Sequence, residues 1–324
     1  MKVVIQIPCL NEEKTLPLTL REIPRRIDGV DQLQILIVDD GSTDGTAQAG
    51  KKHGADYIVR LNRTHGLAQA FMTGIEASLR LGADIIVNTD ADNQYRGADI
   101  PALIEPIMKG KADIVIGCRP IDDIEHFSWG KKLLQKAGSW VVSQLSDLDV
   151  PDVTSGFRAY SREAALRLNV LSDFTYTLET VIQAGKKNLS LVCVRVGTNK
   201  ELRPSRLFTS TASYVKRSIG TIVRIYSMYE PLKVFSYAGA LLCAGGGAIS
   251  IRYLYFLAHG QGEGHVQSLI LAAVLLIVGF QTIVAGLMAD LTSSNRRLIE
   301  DILRRIRSIE VPRGAEVQRD NPKQ

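Results

Sequence analysis

Along the first two hundred positions, short apolar runs alternate with longer amphipathic stretches. The runs fall at residues 3–7, 34–38, 57–60, 84–88, 113–117 and 189–196 and are rich in Val and Ile. Runs of this length predict buried strands, and the stretches between them predict helices. Such alternation implies an α/β domain, a mostly parallel sheet with helices on both faces. Ligands of these sheets bind beyond the carboxyl ends of the strands. The first run starts directly after Met1-Lys2 and stops at Pro8, so it reads as a strand rather than a signal peptide.

The last hundred residues are patterned differently. Residues 234–251 (VFSYAGALLCAGGGAISI) carry no charge, and residues 268–289 form a second uncharged stretch. Eighteen helical residues reach about 27 Å, close to the hydrocarbon core of a bilayer. Arg252, Tyr253, Tyr255 and Phe256 then resemble an interfacial belt. A buried helical hairpin of a soluble protein is the alternative, but such hairpins are seldom uncharged for so long. The connection at 259–266 lacks Lys and Arg, whereas Lys216, Arg217, Arg224 and Lys233 precede the first span and Arg296, Arg297, Arg304 and Arg305 follow the second. The positive-inside rule then predicts both ends in the cytoplasm, with Arg252 a mild conflict. Just upstream, Val215, Ile219, Ile222, Tyr226 and Tyr229 share one helical face opposite Lys216, Arg217 and Arg224. That pattern fits a helix in the membrane surface, or one packed on a core. The expected organisation is a catalytic domain at 1–207, an interface helix at 208–232, a two-helix hairpin at 233–291 and a cytoplasmic tail at 292–324, polar and disordered after Glu310.

Composition sharpens this only modestly. The formal charge of +5 suits anionic partners such as phosphorylated substrates or an acidic membrane surface. Nucleic acid is not expected, because no basic run is interleaved with aromatics. Cys9, Cys118, Cys193 and Cys243 form no CxxC pair and read as core residues in a reducing compartment; the five histidines lack zinc spacing.

The polar motifs fall where strands should end. Asp90-Ala91-Asp92-Asn93-Gln94 closes the fourth run. Two carboxylates two residues apart repel unless a divalent cation relieves them, and Mg²⁺ or Mn²⁺ commonly shares such ligands with phosphates. A solvated acidic turn gives the same spacing. The segment from Asp39 to Thr46 (DDGSTDGT) closes the second run. Its glycines permit a tight turn and Ser42 or Thr43 can cap a helix, but two acids exceed what a cap requires. They suit a base edge and a ribose hydroxyl.

Taken in order, PCLNEE, VDDGSTDGT, NTDADNQ, GCR and VTSGFRAYSREA resemble the GT-A glycosyltransferases of family 2. The likeness is strongest to the polyprenyl-phosphate sugar synthase branch, which includes dolichyl-phosphate mannose synthases, and covers residues 3–207. It implies a Rossmann-like GT-A domain and an integral membrane enzyme of a prokaryotic plasma membrane with its catalytic domain in the cytoplasm. The nucleotide-sugar would meet Pro8, Asn11, Glu12, Asp39, Asp40, Asp90 and Ala91. Asp90 and Asp92 would hold Mg²⁺ or Mn²⁺, with Gln94 near the sugar. Asp92, Gln94, Arg119 and Arg203 would form the catalytic set. Arg119, Arg158, Arg203, Ser205 and Arg206 would face the acceptor phosphate. Three departures stand out: Asn62-Arg63-Thr64-His65-Gly66 replaces the usual Gly-Lys-Gly, the late motif reads Arg203-Pro204-Ser205-Arg206, and the basic residue after Arg119 is one of Lys131, Lys132 and Lys136.

The resemblance also implies inversion through one in-line displacement. A lipid phosphate arrives ionised and needs cations rather than a general base, which suits arginines. Arg158 is alternatively a structural ion pair, and Glu179 either a base for an alcohol acceptor or a support. Competing readings are a glycosyltransferase using hydroxyl acceptors, a nucleotidyltransferase, and a non-catalytic nucleotide-sugar scaffold. The first lacks a QxxRW motif, the second its glycine- and lysine-rich loop, and the intact acid pairs argue against the third. Self-association is left open.

Overall fold

The computed structural model describes residues 1–119, 138–143, 145–170, 175–199, 211–260 and 266–311, without the side chains of 211–218 and Arg297. The chain divides into two compact units: Met1–Ile222 together with the stretch beginning at Leu303, and Val223–Ile302.

The first unit is built on a seven-stranded sheet. Its strands are β1 (Lys2–Cys9), β2 (Gln32–Asp39), β3 (Tyr57–Arg60), β4 (Ile85–Asn88), β5 (Ile114–Cys118), β6 (Arg158–Ser161) and β7 (Leu191–Arg195). The spatial order is β3-β2-β1-β4-β6-β5-β7, parallel except for β6, which runs antiparallel to β4 and β5. The six expected strands are present. The seventh, β6, has the sequence Arg-Ala-Tyr-Ser and therefore neither an apolar run nor a clean alternation. It owes its strand state to neighbours on both sides, a tertiary effect that local pattern does not carry.

The helices α1 (Leu16–Glu22), α2 (Thr46–Lys52), α3 (Leu67–Arg80), α4 (Ile100–Met108), α5 (Arg162–Arg167) and α6 (Thr177–Lys186) cover the sheet. Strand residues alternate between faces. Val3, Ile5 and Ile7 of β1 join Leu16 and Leu20 of α1 and Ile100, Leu103 and Ile104 of α4 in one buried cluster. The opposite face receives α3: a Cβ at Gly74 would lie 2.4 Å from Gln6 Oε1, and Phe71 stacks on Tyr176 with centroids 4.0 Å apart. Both faces are thus covered over the central strands, while the edge strands β3 and β7 stay partly exposed.

Three helices follow: α7 (Thr211–Tyr229), α8 (Pro231–Ala258) and α9 (Val266–Glu310). Both α8 and α9 are long and apolar enough to cross a membrane, by length and composition. They pack through small residues, since a Cβ on Gly239 would meet Gly279 O at 2.6 Å and one on Gly246 would meet Ala272 O at 2.9 Å. Close backbone approach of this kind is how apolar helices associate without a hydrophobic drive between them. The region expected as a tail from 292 is helical as far as Glu310, and the disorder expected after Glu310 lies outside the described residues apart from Val311. The end of α9 is seated in the first unit. Arg304 pairs with Glu163 at 3.0 Å, Arg307 donates to Leu168 O at 2.9 Å, and Arg162 donates to Val311 O.

Candidate active site at the carboxyl edge of the sheet

Strands β1, β2 and β4 are parallel neighbours, so their carboxyl ends deliver the polar motifs to one edge. The loops after β1 and β2 are cross-braced. Asn11, held at φ 56°, donates its N–H to Ser42 Oγ at 2.9 Å and accepts from Thr43 N at 2.9 Å. Glu12 N donates to Thr46 Oγ1 at 2.8 Å, and the Glu12 carboxylate accepts from Thr15. Pro8 is buried near the end of β1 and pairs in register with Val38. Gly41 sits at φ 75°, and a Cβ there would lie 2.6 Å from the Arg63 backbone, so both conformation and space demand glycine.

The two acids of this loop part ways. Asp40 accepts His65 N at 2.8 Å and Gly66 N at 2.9 Å, which anchors residues 63–66 at the start of α3. Asp39 Oδ1 accepts Ser42 N at 2.8 Å, while Oδ2 is buried without a hydrogen bond and lies 3.3 Å from Arg60 Nε. A buried carboxylate oxygen lacking a donor is costly, and it marks Asp39 rather than Asp40 as the acid with an unused acceptor. Arg60, half exposed and absent from the sequence-derived set, is the cation beside that oxygen.

At the end of β4 the support is denser. Asn88 donates to Gly156 O and to Tyr176 Oη, both at 2.8 Å, and accepts from Gln6 Nε2 at 2.9 Å. Tyr95 Oη accepts Gly156 N at 2.9 Å. Gly156 is thereby fixed beneath Asp90: a Cβ on it would lie 2.8 Å from Asp90 Oδ2 and 2.9 Å from Tyr176 Oη. Burial and the charge of Asp92 push the Asp90 carboxyl up to about 7, although Arg119 and Arg158 pull the other way. Asp92 Oδ1 accepts Gln94 N at 3.1 Å. Gln94 O accepts Asn199 N at 2.9 Å, which joins this loop to the stretch after β7. Thr19 of α1 donates to Ala91 O at 3.1 Å.

Arg119, at the end of β5, forms a bidentate pair with Asp152 at 2.7 and 3.1 Å and donates to Thr154 Oγ1 at 3.0 Å. Its guanidinium lies 5.8 Å from the Tyr95 ring centroid. Burial alone would raise the Asp152 carboxyl, but Arg119 outweighs it and holds the group below the usual range. The sequence reading missed Asp152, Tyr95, Asn88 and Tyr176. Asp152 adjoins the VTSGFRAYSREA motif and was legible by position alone.

Arg158 requires a correction. It is 0 % exposed and donates to Ser155 O at 2.8 Å, Thr177 O at 3.0 Å, Thr180 Oγ1 at 2.5 Å and Val153 O at 2.7 Å. It is buried away from any surface and forms no ion pair among the described residues. Carbonyls and a hydroxyl satisfy its fork of donors, and its charge reaches Asp90 only through the interior. Glu179 is likewise buried and accepts from Gln183 Nε2 at 3.1 Å, which suits support rather than proton transfer. Arg203, Ser205 and Arg206, and Lys131, Lys132 and Lys136, lie outside the described residues.

Among the described residues no group of three or more His, Cys, Asp or Glu side chains is gathered to cage a metal. The Asp90–Asp92 pair is instead a two-carboxylate set of hard oxygens, close enough that the charge of Asp92 helps to raise the Asp90 carboxyl. That fits a divalent cation whose remaining ligands come from a diphosphate.

Comparison with known proteins gives this arrangement a family. The family model described as glycosyl transferase family 2 matches residues 4–168, half of the chain. The chain belongs to glycosyl transferase family 2. It is 32 % identical over 166 residues to the undecaprenyl-phosphate mannosyltransferase of Micrococcus luteus, covering 49 % of this chain and 66 % of that protein. It is 28 % identical over 218 residues to the polyprenol monophosphomannose synthase of Mycolicibacterium smegmatis, covering 64 % of this chain and 81 % of that one. Among solved structures, glucosyl-3-phosphoglycerate synthase of Mycobacterium tuberculosis with Mn²⁺ and UDP superposes with a TM-score of 0.57 over 70 % of this chain and 80 % of that one, at 21 % identity. That likeness shows the GT-A fold, seven-stranded mixed sheet included. This chain is therefore a family 2 glycosyltransferase with a GT-A domain and two apolar C-terminal helices.

Proposed function

We propose that this glycosyltransferase is anchored in a membrane and moves a sugar from a nucleoside diphosphate carrier onto a polyprenyl phosphate, with inversion. The observation that carries the reading is the Asp90–Asp92 pair, braced by Asn88, Gly156 and Tyr176 and faced by the charge of Arg119. Relatives named for transfer to polyprenyl phosphates supply the acceptor class, and the apolar helices α8 and α9 supply a means of meeting it.

The residues divide the work as follows. Asp39 accepts from the nucleotide once Arg60 swings away, while Asp40 holds the 63–66 loop that borders the base. Asn11, Glu12 and Pro8 shape the opposite wall. Asp90 and Asp92 hold Mg²⁺ or Mn²⁺, which when bound neutralises the charge that collects on the departing diphosphate. Gln94 lies beside the sugar. An acceptor phosphate brings its own negative charge and needs cations, not a base; Arg119, kept in place by Asp152, and the Arg203–Arg206 stretch provide them. Glu179 stays buried under either acceptor. The basic flanks of α8 and α9 support a catalytic unit on the cytoplasmic face.

The test uses membranes containing the full chain, a panel of labelled nucleotide-sugars, and polyprenyl phosphate or the matching polyprenol. Transfer to the phosphate alone, abolished by EDTA or by Asp92→Asn and restored to the wild type by Mg²⁺ or Mn²⁺, is the expected result. Equal transfer to the neutral alcohol, or full activity in EDTA, refutes it. A cysteine placed at Gly262 should react with an impermeant thiol reagent in intact cells; labelling of the C-terminal tail instead reverses the topology.

A further inference from the structure

The long helix α9 carries a stripe that the catalytic reading does not use. Ile299, Ile302, Ile306 and Ile309 recur at alternating spacings of three and four, and they are 64, 55, 46 and 77 % exposed. Four exposed isoleucines in a segment that also carries Arg296, Arg297, Arg304, Arg305 and Arg307 are not covered by packing among the described residues. The same seven-residue register extends backward through Asn295 to Gln281, both exposed. Gln281 lies inside the apolar stretch of α9, between Phe280 and Thr282. An amide exposed there faces hydrocarbon unless another helix answers it, and side-chain amides are known to join helices in lipid.

We propose that α9 is the seam of a parallel homo-oligomer, in which the stripe of one copy packs against the same stripe of others. Three observations select further copies of this chain rather than a different partner. First, spacings of three and four are the a and d positions of a heptad, the pattern that meshes with an identical helix. Second, copies inserted in one membrane with one topology present their α9 helices in parallel, so each Gln281 meets Gln281 of its neighbour and each isoleucine its own equivalent. Third, Arg305 and Glu310 then occupy g and e positions five residues apart, where parallel strands bring opposite charges together across the seam. Isoleucine at both a and d favours three or four strands over two. A membrane surface is a poorer occupant for the isoleucines. At 1.5 Å per residue, Ile309 lies roughly 30 Å along the helix from Ala289, the end of the uncharged stretch. Parallel packing rests on the membrane anchoring proposed above.

The test is disulfide trapping in native membranes that carry the full chain. Ile302→Cys and Ile309→Cys, each alone, should give disulfide-linked dimers on oxidation, and the two combined species larger than dimers, above the background of the wild-type chain with its own four cysteines. Ser308→Cys, exposed but off the stripe, should not. Gln281→Leu combined with Ile302→Cys should lower the trapped fraction roughly threefold. Equal trapping at 302 and 308, or none at 302 and 309, overturns the proposal. Alkaline carbonate extraction of the same membranes separates the two readings. A chain released by carbonate refutes the membrane anchor. A chain retained but untrapped refutes the seam alone.

Discussion

Replacing Gly156 by alanine perturbs the site at a single atom. The added Cβ would lie 2.8 Å from Asp90 Oδ2, 3.0 Å from Asp90 Oδ1 and 2.9 Å from Tyr176 Oη. Carbon and oxygen in ordinary contact sit about half an ångström farther apart, so something must yield. Tyr176 is fully buried, stacked on Phe71 and bonded to Asn88, and the Gly156 backbone is tied to Tyr95 and Asn88. The Asp90 carboxylate is only partly buried and is the freest of the three, so it moves.

Overpacking of this kind costs about 1–3 kcal/mol of stability. The larger consequence is chemical. A misplacement near 1 Å in a reacting constellation is worth about a hundredfold in rate, so roughly half that displacement should reduce kcat/KM about ten- to a hundredfold. Affinity for Mn²⁺ in the presence of nucleotide should fall with it, because one of the two carboxylates leaves its position. The assay is steady-state transfer across a Mn²⁺ titration, with melting temperature recorded on the same preparation. Gly138→Ala is the control, since nothing lies within 4 Å of its added Cβ. A Gly156→Ala enzyme with wild-type kcat/KM and wild-type Mn²⁺ dependence would falsify the placement of Asp90 at the centre of the site.

Other perturbations probe other links. Asp152→Asn keeps the shape but removes the charge that pins Arg119; kcat/KM for the acceptor should fall about ten- to a hundredfold while nucleotide-sugar affinity stays within about twofold, as one charge-assisted pair is worth about 1.5–3 kcal/mol. Arg203→Ala should likewise weaken use of polyprenyl phosphate by about ten- to a hundredfold and spare donor binding, and an unchanged acceptor KM would assign Arg203 to a surface ion pair instead. Gly279→Leu places carbon where an added Cβ already meets Cys243 Sγ at 2.6 Å and Gly239 O at 2.8 Å; the α8–α9 hairpin should lose thermal stability in detergent, and an unchanged melting curve would dismiss the close packing. Arg304→Ala removes a pair whose side chains are 33 and 43 % exposed and should shift stability by less than about 1 kcal/mol. Arg162→Met, which strands the carbonyls of Ala83 and Val311, should cost more, about 1–3 kcal/mol.

The two arginines of the GCR and SGFR motifs show what a linear sequence can disclose. Both read as cations for phosphate, Arg158 with a structural ion pair as its alternative, because residue type and family motif are all that the sequence offers at those positions. The fold separates them. Arg119 ends a parallel strand at the ligand edge, and a carboxylate thirty-three residues away orients it. Arg158 opens the antiparallel strand β6, which directs it inward to the carbonyls of Val153, Ser155 and Thr177. The missed strand and the misassigned arginine are therefore one error. Without β6 nothing decided between the acceptor and the structural reading of Arg158. By contrast, the place of Asp90 and Asp92 at the carboxyl edge was legible because the buried run Ile85–Asn88 ends just before them, and a parallel strand has only one place to deliver its last residues. What stayed hidden was the scaffold of Asn88, Tyr95, Gly156 and Tyr176. Its members lie up to 88 positions apart and are individually unremarkable, so only the folded chain brings them beneath one carboxylate. Charge at a strand end can be read from sequence, but the packing that fixes its position to a fraction of an ångström is a property of the whole sheet, and catalysis depends on that fraction.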